Sequence, residues 1–146
     1  MSKPIYVLSG PNLNMLGQRE PEIYGSQTLD DIHKSLSERG AKHGKDVKCF
    51  QSNHEGQLVD IIQEAGNKAS SLIINAGALT HTSVAIADAI RAIDIPAIEV
   101  HMSNVYQREE FRHHSYLSPV VIGLICGFGS QSYELALDVL VTDAQK

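Results

Sequence analysis

Four short stretches of this 146-residue chain hold the side chains best suited to acid–base chemistry. GPNLNMLGQREPEIYG (10–25) is a long polar segment carrying Asn12, Asn14, Arg19, Glu20, Glu22 and Tyr24. A tyrosinate is a competent base, but a phenol's reference pKa of about 10 makes ionisation at neutral pH cost roughly 4 kcal/mol. A neighbouring cation reduces that cost. Arg19 precedes Tyr24 in the same segment and carries a guanidinium that stays charged. The bland alternative is a packed tyrosine ring and a solvated arginine. In EVHMS, Glu99 and His101 are two residues apart, so in a strand they share a face. A carboxylate beside an imidazole fixes its orientation and favours the protonated ring, which suits a general acid; a structural histidine is the alternative. NAGALTHTS places Asn75 and His81 around a glycine turn before a helix that also carries Asp88. Asp88 is either an exposed charge or a group reaching a neighbouring subunit. REEFRHHS puts Arg108 and Arg112 at helical i, i+4 spacing. Two arginines on one face suit a hydroxylated or carboxylated ligand; a surface ion-pair helix with Glu109 and Glu110 is the competing reading.

These residues need elements to position them, and the hydrophobic pattern supplies an alternation. Apolar runs at 4–9, 71–75, 96–101 and 120–125 read as strands, and the alternating 46–52 reads as a strand nearer an edge. Between and after them, 28–44, 56–69, 82–93 and 130–144 carry helical periodicity, with Thr28 and then Thr82 or Ser83 as N-caps. Strands alternating with helices imply parallel βαβ units in one doubly wound α/β domain over 1–146. By analogy, five strands in this length suggest a three-layer α/β/α, flavodoxin-like arrangement with order 2-1-3-4-5. The segments after the first four strands are Gly10-Pro11-Asn12, Ser52-Asn53-His54-Glu55, Asn75 to His81, and His101-Met102-Ser103-Asn104. Open α/β sheets bind ligands at that carboxyl edge, although Asn, Ser and Gly are also ordinary turn formers.

Several chemistries lack their parts. No GxGxxG or GxxxxGK[ST] appears. All seven lysines fall outside the segments after strands one, three and four, so Schiff-base chemistry has no obvious amine. No HExxH occurs, and Cys49 and Cys126, on apolar runs, read as buried thiols rather than zinc ligands or a disulfide. A net charge of -5 and a pI near 5.7 argue against nucleic acid or an anionic membrane as the main partner. No apolar run approaches a membrane span and no signal-peptide core is evident, so a cytoplasmic location is expected. Two alternatives to a metal-free acid–base enzyme stand beside it: a non-enzymatic flavodoxin-like binding module, and a metal hydrolase using His81 and His101.

GPNLNMLGQREPEIYG, NAGALTHTSVAIADA and EVHMSNVYQREEFRHHS together resemble type II 3-dehydroquinate dehydratases of the shikimate and quinate routes, and the resemblance runs over essentially the whole chain. It implies anti elimination of water from 3-dehydroquinate through an enolate, without metal or cofactor. The resemblance further implies Tyr24 as base, assisted by Arg19, and Asn12 holding a water against the enolate oxygen. It makes His101 the acid, oriented by Glu99. Asn75, His81, Met102, Ser103 and Arg112 become substrate-binding residues, with the main chain after His101 around the substrate carboxylate. The long segment would close over substrate as a lid. Asp88 would reach a neighbour's site in a trimer, four trimers forming a dodecamer. Ser9, Ala76, Leu79 and Ser132 stand where the family commonly carries Asn, Pro, an aromatic residue and Gly.

Overall fold

The computed structural model describes residues 2–18 and 26–143. Among them, five strands form one parallel sheet in the order β2-β1-β3-β4-β5: β1 Ile5–Ser9, β2 Val47–Gln51, β3 Ser71–Asn75, β4 Ala97–His101 and β5 Gly123–Cys126. This is the expected flavodoxin-like order. β1, β3 and β4 are buried at every residue. That explains why they read as continuous apolar runs: a parallel strand covered on both faces has no solvent side on which to alternate.

Four α-helices among the described residues supply the cover: α1 Leu29–Lys42, α2 Glu55–Lys68, α3 Val84–Arg91 and α4 Gln131–Asp143. Tyr6, Leu8, Leu72, Ile74 and Ala97 pack with Leu58 and Ile62 of α2 and Ile86 and Ile90 of α3. Residues of opposite strand parity, Ile5, Val7, Ile73, Ile98 and Val100, pack with Leu36 of α1 and Tyr133 and Leu137 of α4. The result is a three-layer α/β/α sandwich. Thr28 caps α1 in a reciprocal box with Asp31, each side chain accepting the other's N–H at 3.0–3.1 Å. Ser83, not Thr82, caps α3 by accepting the Ile86 N–H. No described helix is long and apolar enough to cross a membrane.

Three expectations need correction. The strand placed at 120–125 runs from Gly123 to Cys126. Pro119 sits in a 3₁₀ turn, Ser118–Val120, and Val120 and Val121 spend their apolar surface on the α2–α3 core rather than on pairing. The helix expected around Arg108 and Arg112 is instead two 3₁₀ turns, Val105–Gln107 and Glu110–His113. With Phe111 as its sole large apolar side chain between Arg108 and Ser115, that segment has no stripe to bury, and short helices are marginal without one. Cys49 and Cys126 are free but half-buried, because β2 and β5 are the sheet's edges. Burial still pushes the Cys49 thiol up to about 12.

The register brings the carboxyl ends of the central strands level: Ser9 faces Gln51 on one side and Asn75 on the other. Just beyond, Gly10 donates its N–H to the Asn75 carbonyl at 2.8 Å. A methyl group on Gly10 would stand 2.6 Å from the Ala76 carbonyl oxygen, and Gly77, at φ 61°, packs against the Pro11 carbonyl. The two loops meet backbone to backbone. Gly10→Ala is therefore expected to cost about 1–3 kcal/mol through overpacking, lowering Tm by roughly 2–12 °C for a domain of this size. An unchanged melting curve would show that the loops separate without cost.

Candidate active site

β4 ends in a buried acid–base pair. Glu99 is 1% exposed and His101 6%. Strand period aligns both side chains with Ala97, on the α2–α3 face of the sheet. His101 Nε2–H donates to Glu99 Oε2 at 2.6 Å. Two hydroxyls complete the shell: Ser115 donates to Oε2 at 2.9 Å and Ser118 to Oε1 at 2.7 Å. Ser115 is itself oriented, since its Oγ accepts the N–H groups of Leu117 and Ser118. Burial pushes the Glu99 carboxyl up, but His101 and the two serines outweigh it and hold the group below the usual carboxylate range. A charged carboxylate then fixes Nε2 of His101 as a donor. No described residue hydrogen-bonds Nδ1, which is the nitrogen left for a ligand.

His81 closes the other side. It ends the 3₁₀ turn Gly77–His81, and its Nδ1–H donates to the His114 carbonyl at 2.8 Å. Its ring lies nearly parallel to that of His101, centroids 6.2 Å apart. The sequence pattern foresaw both histidines and Glu99 at the sheet edge. Ser115 and Ser118 were missed, because serines 16 and 19 residues downstream of Glu99 carry no periodic signal.

Asn75 is brought to the same edge but faces the opposite layer. Its Nδ2 donates to the Tyr133 hydroxyl at 3.0 Å, its Oδ1 accepts the Gly77 N–H, and the Tyr133 hydroxyl also meets Ser9 Oγ at 2.9 Å. Tyr133 was also missed; the available signal was one tyrosine among the aliphatic buried positions of α4, a ring with a polar tip needing a partner. Ser9 is thereby absorbed by the fold. Ser132 also finds a partner, its Oγ accepting the Phe128 N–H.

The remaining site residues divide. Asn12 is exposed at the end of the β1 loop, in the left-handed region at φ 73°. Met102 is half-buried against the α1–α4 core, and its carbonyl accepts the Gly129 N–H. Ser103 lies 3.5 Å from Arg108 Nη1. Arg108 and Arg112 do share a partner, as the ion-pair reading had it: Glu109, at 3.8 and 3.0 Å. Its own backbone N–H, then the Arg112 guanidinium, hold the Glu109 carboxyl below the usual carboxylate range. Asp88 pairs with Arg91 on the exposed side of α3. Arg19 and Tyr24 lie outside the described residues, as do Glu20 and Glu22. Among the described residues no three His, Cys, Asp or Glu side chains gather as a metal site. An apolar groove of about 700 Å³, lined by Leu124, Phe128, Leu135 and Val139, lies along β5 and α4 and includes none of the predicted site residues.

A family model described as Dehydroquinase class II matches residues 3–141. The chain is 57% identical over 146 residues to a 3-dehydroquinate dehydratase of Acaryochloris marina, covering 99% of this chain and 98% of that protein. It is 60% identical to a protein of the same description from a Nostoc species, covering 94% and 93%. The crystal structure of a type II dehydroquinase from Propionibacterium acnes superposes with a TM-score of 0.92 at 48% identity, covering 97% of this chain and 98% of that one.

Because the Glu99 carboxyl is held lower in the folded chain than its ordinary value of 4.5, ionised Glu99 adds stability above that pH. This share is lost as pH falls through the lowered folded value. Urea midpoints measured from about pH 6 down to about pH 3 are expected to fall more steeply for the wild type than for Glu99→Gln, with Ser118→Ala between them. Parallel curves would contradict the charged assignment.

Proposed function

The chain belongs to the class II dehydroquinase family and is a hydro-lyase; from that premise we propose that it converts 3-dehydroquinate to 3-dehydroshikimate by anti elimination, with Tyr24 as base and His101 as acid. The observation that carries the acid's role is the buried Glu99–His101 pair, with a charged carboxylate fixing one ring nitrogen and leaving the other for a ligand.

In this scheme the Tyr24 phenolate, aided by the Arg19 charge, takes a proton from the carbon beside the ketone. The bonding pair moves into the carbonyl as an enolate, and a water held by Asn12 donates to the oxygen that gains charge. The enolate then collapses and expels the hydroxyl on the next carbon, as His101 gives that oxygen its proton through Nδ1. One proton has gone to Tyr24 and one has left His101; a return transfer through solvent restores both. Glu99 stabilises the charged ring before the transfer and keeps Nε2–H pointed inward after it. Asn75, His81, Met102, Ser103 and Arg112 bind the substrate, with the main chain after His101 around its carboxylate. Every proton in the scheme is moved by a side chain or water, so it calls on no metal or cofactor.

We propose further that the chain assembles as a dodecamer of four trimers, in which Asp88 reaches a neighbour's site. Its exposed place on α3 is compatible with that reach. Ile122, Leu124, Phe128, Leu135 and Val139 are also exposed around the free β5 edge, an apolar face that a second copy would cover.

Appearance of the conjugated product is followed by ultraviolet absorbance. Tyr24→Phe and His101→Ala are each expected to lower kcat by about 10²–10⁴-fold while remaining folded, and wild-type turnover is expected to survive both a chelator and borohydride with substrate. Tyr24→Phe at the wild-type rate would remove the proposed base. In sedimentation, an assembly near twelve times 15.9 kDa is expected, and a monomer at assay concentration would contradict the assembly.

A further inference from the structure

The segment after β2 was marked by its polar residues, yet the scheme above gives it no part. Its geometry connects it to Asn12. Among the described residues Asn12 is the one non-glycine with positive φ, at 73°. That conformation is tolerated by asparagine more than by most residues but still costs roughly 1–2 kcal/mol, so something must hold it. The Asn12 N–H donates to Asn53 Oδ1 at 2.9 Å, across 41 positions of sequence. The same oxygen accepts Gln51 Nε2 at 3.1 Å, and Gln51 Nε2 also donates to the Gly10 carbonyl at 3.1 Å. Gly10 is in turn tied to Asn75 through its N–H. The end of β2 thus grips the Gly10–Asn12 turn at two points, through Gln51 on the carbonyl of Gly10 and Asn53 on the amide of Asn12. No described residue hydrogen-bonds the Asn12 side chain, whose amide is left to the open edge of the sheet.

We infer that Asn53 is a positioning residue for the dehydration: its Oδ1 holds the Asn12 backbone in the left-handed turn that presents the Asn12 amide to the reacting oxygen. This rests on the proposed role of Asn12. The working group is the acceptor oxygen, since the Asn53 Nδ2 meets no described partner, and the acceptor is what distinguishes positioning from direct substrate contact. An aspartate at position 53 keeps an acceptor at that place and loses the amide donor. It also adds a negative charge, which a direct contact to an anionic substrate would not tolerate.

The test compares steady-state kinetics of Asn53→Ala, Asn53→Asp, Asn12→Ala and the Asn12→Ala/Asn53→Ala double variant on the assembled enzyme, with thermal melts to establish folding. Misplacing a group by about an ångström costs up to about a hundredfold. Asn53→Ala is therefore expected to lose on the order of ten- to a hundredfold in kcat with little change in KM. Asn53→Asp recovers most of that loss, and the double variant is no slower than Asn12→Ala alone. If Asn53→Ala turns over at the wild-type rate while Asn12→Ala does not, the inference fails and the role of Asn12 stands. If Asn53→Asp is worse than Asn53→Ala, or the two losses multiply, Asn53 acts on the substrate directly and the inference is overturned. Wild-type turnover by Asn12→Ala would remove the role of Asn12 and this inference together.

Discussion

A carboxylate taken out of water stays ionised only if its lone pairs are met by donors and its charge by a partner. Glu99 is given an imidazole and two hydroxyls, all within 2.9 Å. Three parts of the chain must therefore be in register for one side chain to be tolerated. β4 supplies Glu99 and His101 with period-two alignment, and the segment before β5 supplies Ser115 and Ser118. The 3₁₀ turn ending at His81 covers the imidazole, anchored by the His114 carbonyl from that same segment. The path from Arg108 to Val121 is irregular where Ser115 and Ser118 are committed to this shell and Leu117, Val120 and Val121 to the core below it.

A second constraint operates where β1 and β3 end. Gly10 and Gly77 let two backbones touch, and Asn75 uses both ends of its amide to hold that junction, one on Gly77 and one on Tyr133. Tyr133 brings α4 into the same arrangement from the far layer. The sheet edge is thus tied down from both faces: Glu99 and His101 face one helical layer, Asn75 and Ser9 the other. Side chains held by packing and by second partners keep the geometry that acid–base chemistry requires.

The parallel βαβ alternation, the helices and the edge at which polar residues gather were legible because they rest on period and alternation, whereas the strand order came by analogy with flavodoxin-like folds. β3 is three branched aliphatic residues, Leu72 to Ile74, between Ser71 and Asn75, all buried, and its limits fall where the pattern put them. The Glu99–His101 pair was legible because strand period alone sets its shared face. What escaped depended on long-range partners. The serines around Glu99 and the Tyr133–Ser9–Asn75 contact join residues 16 to 124 positions apart, and no local pattern carries that separation. The run at Val120 and Val121 misled because apolar side chains serve packing as readily as pairing, and Pro119 decides between them. Arg108 and Arg112 misled because helical spacing is only a helix when a face exists to bury.

The proposal on which the rest turns is that one face of the substrate loses a proton to Tyr24 while the hydroxyl on the opposite face leaves as water with a proton from His101. It is tested most directly with 3-dehydroquinate carrying deuterium in place of one or the other of the two hydrogens on the carbon between the ketone and the departing hydroxyl, following by NMR which label leaves. The account predicts loss of the hydrogen anti to the departing hydroxyl and retention of the other. Loss of the syn hydrogen would place base and acid on the same side and contradict the assignment of both.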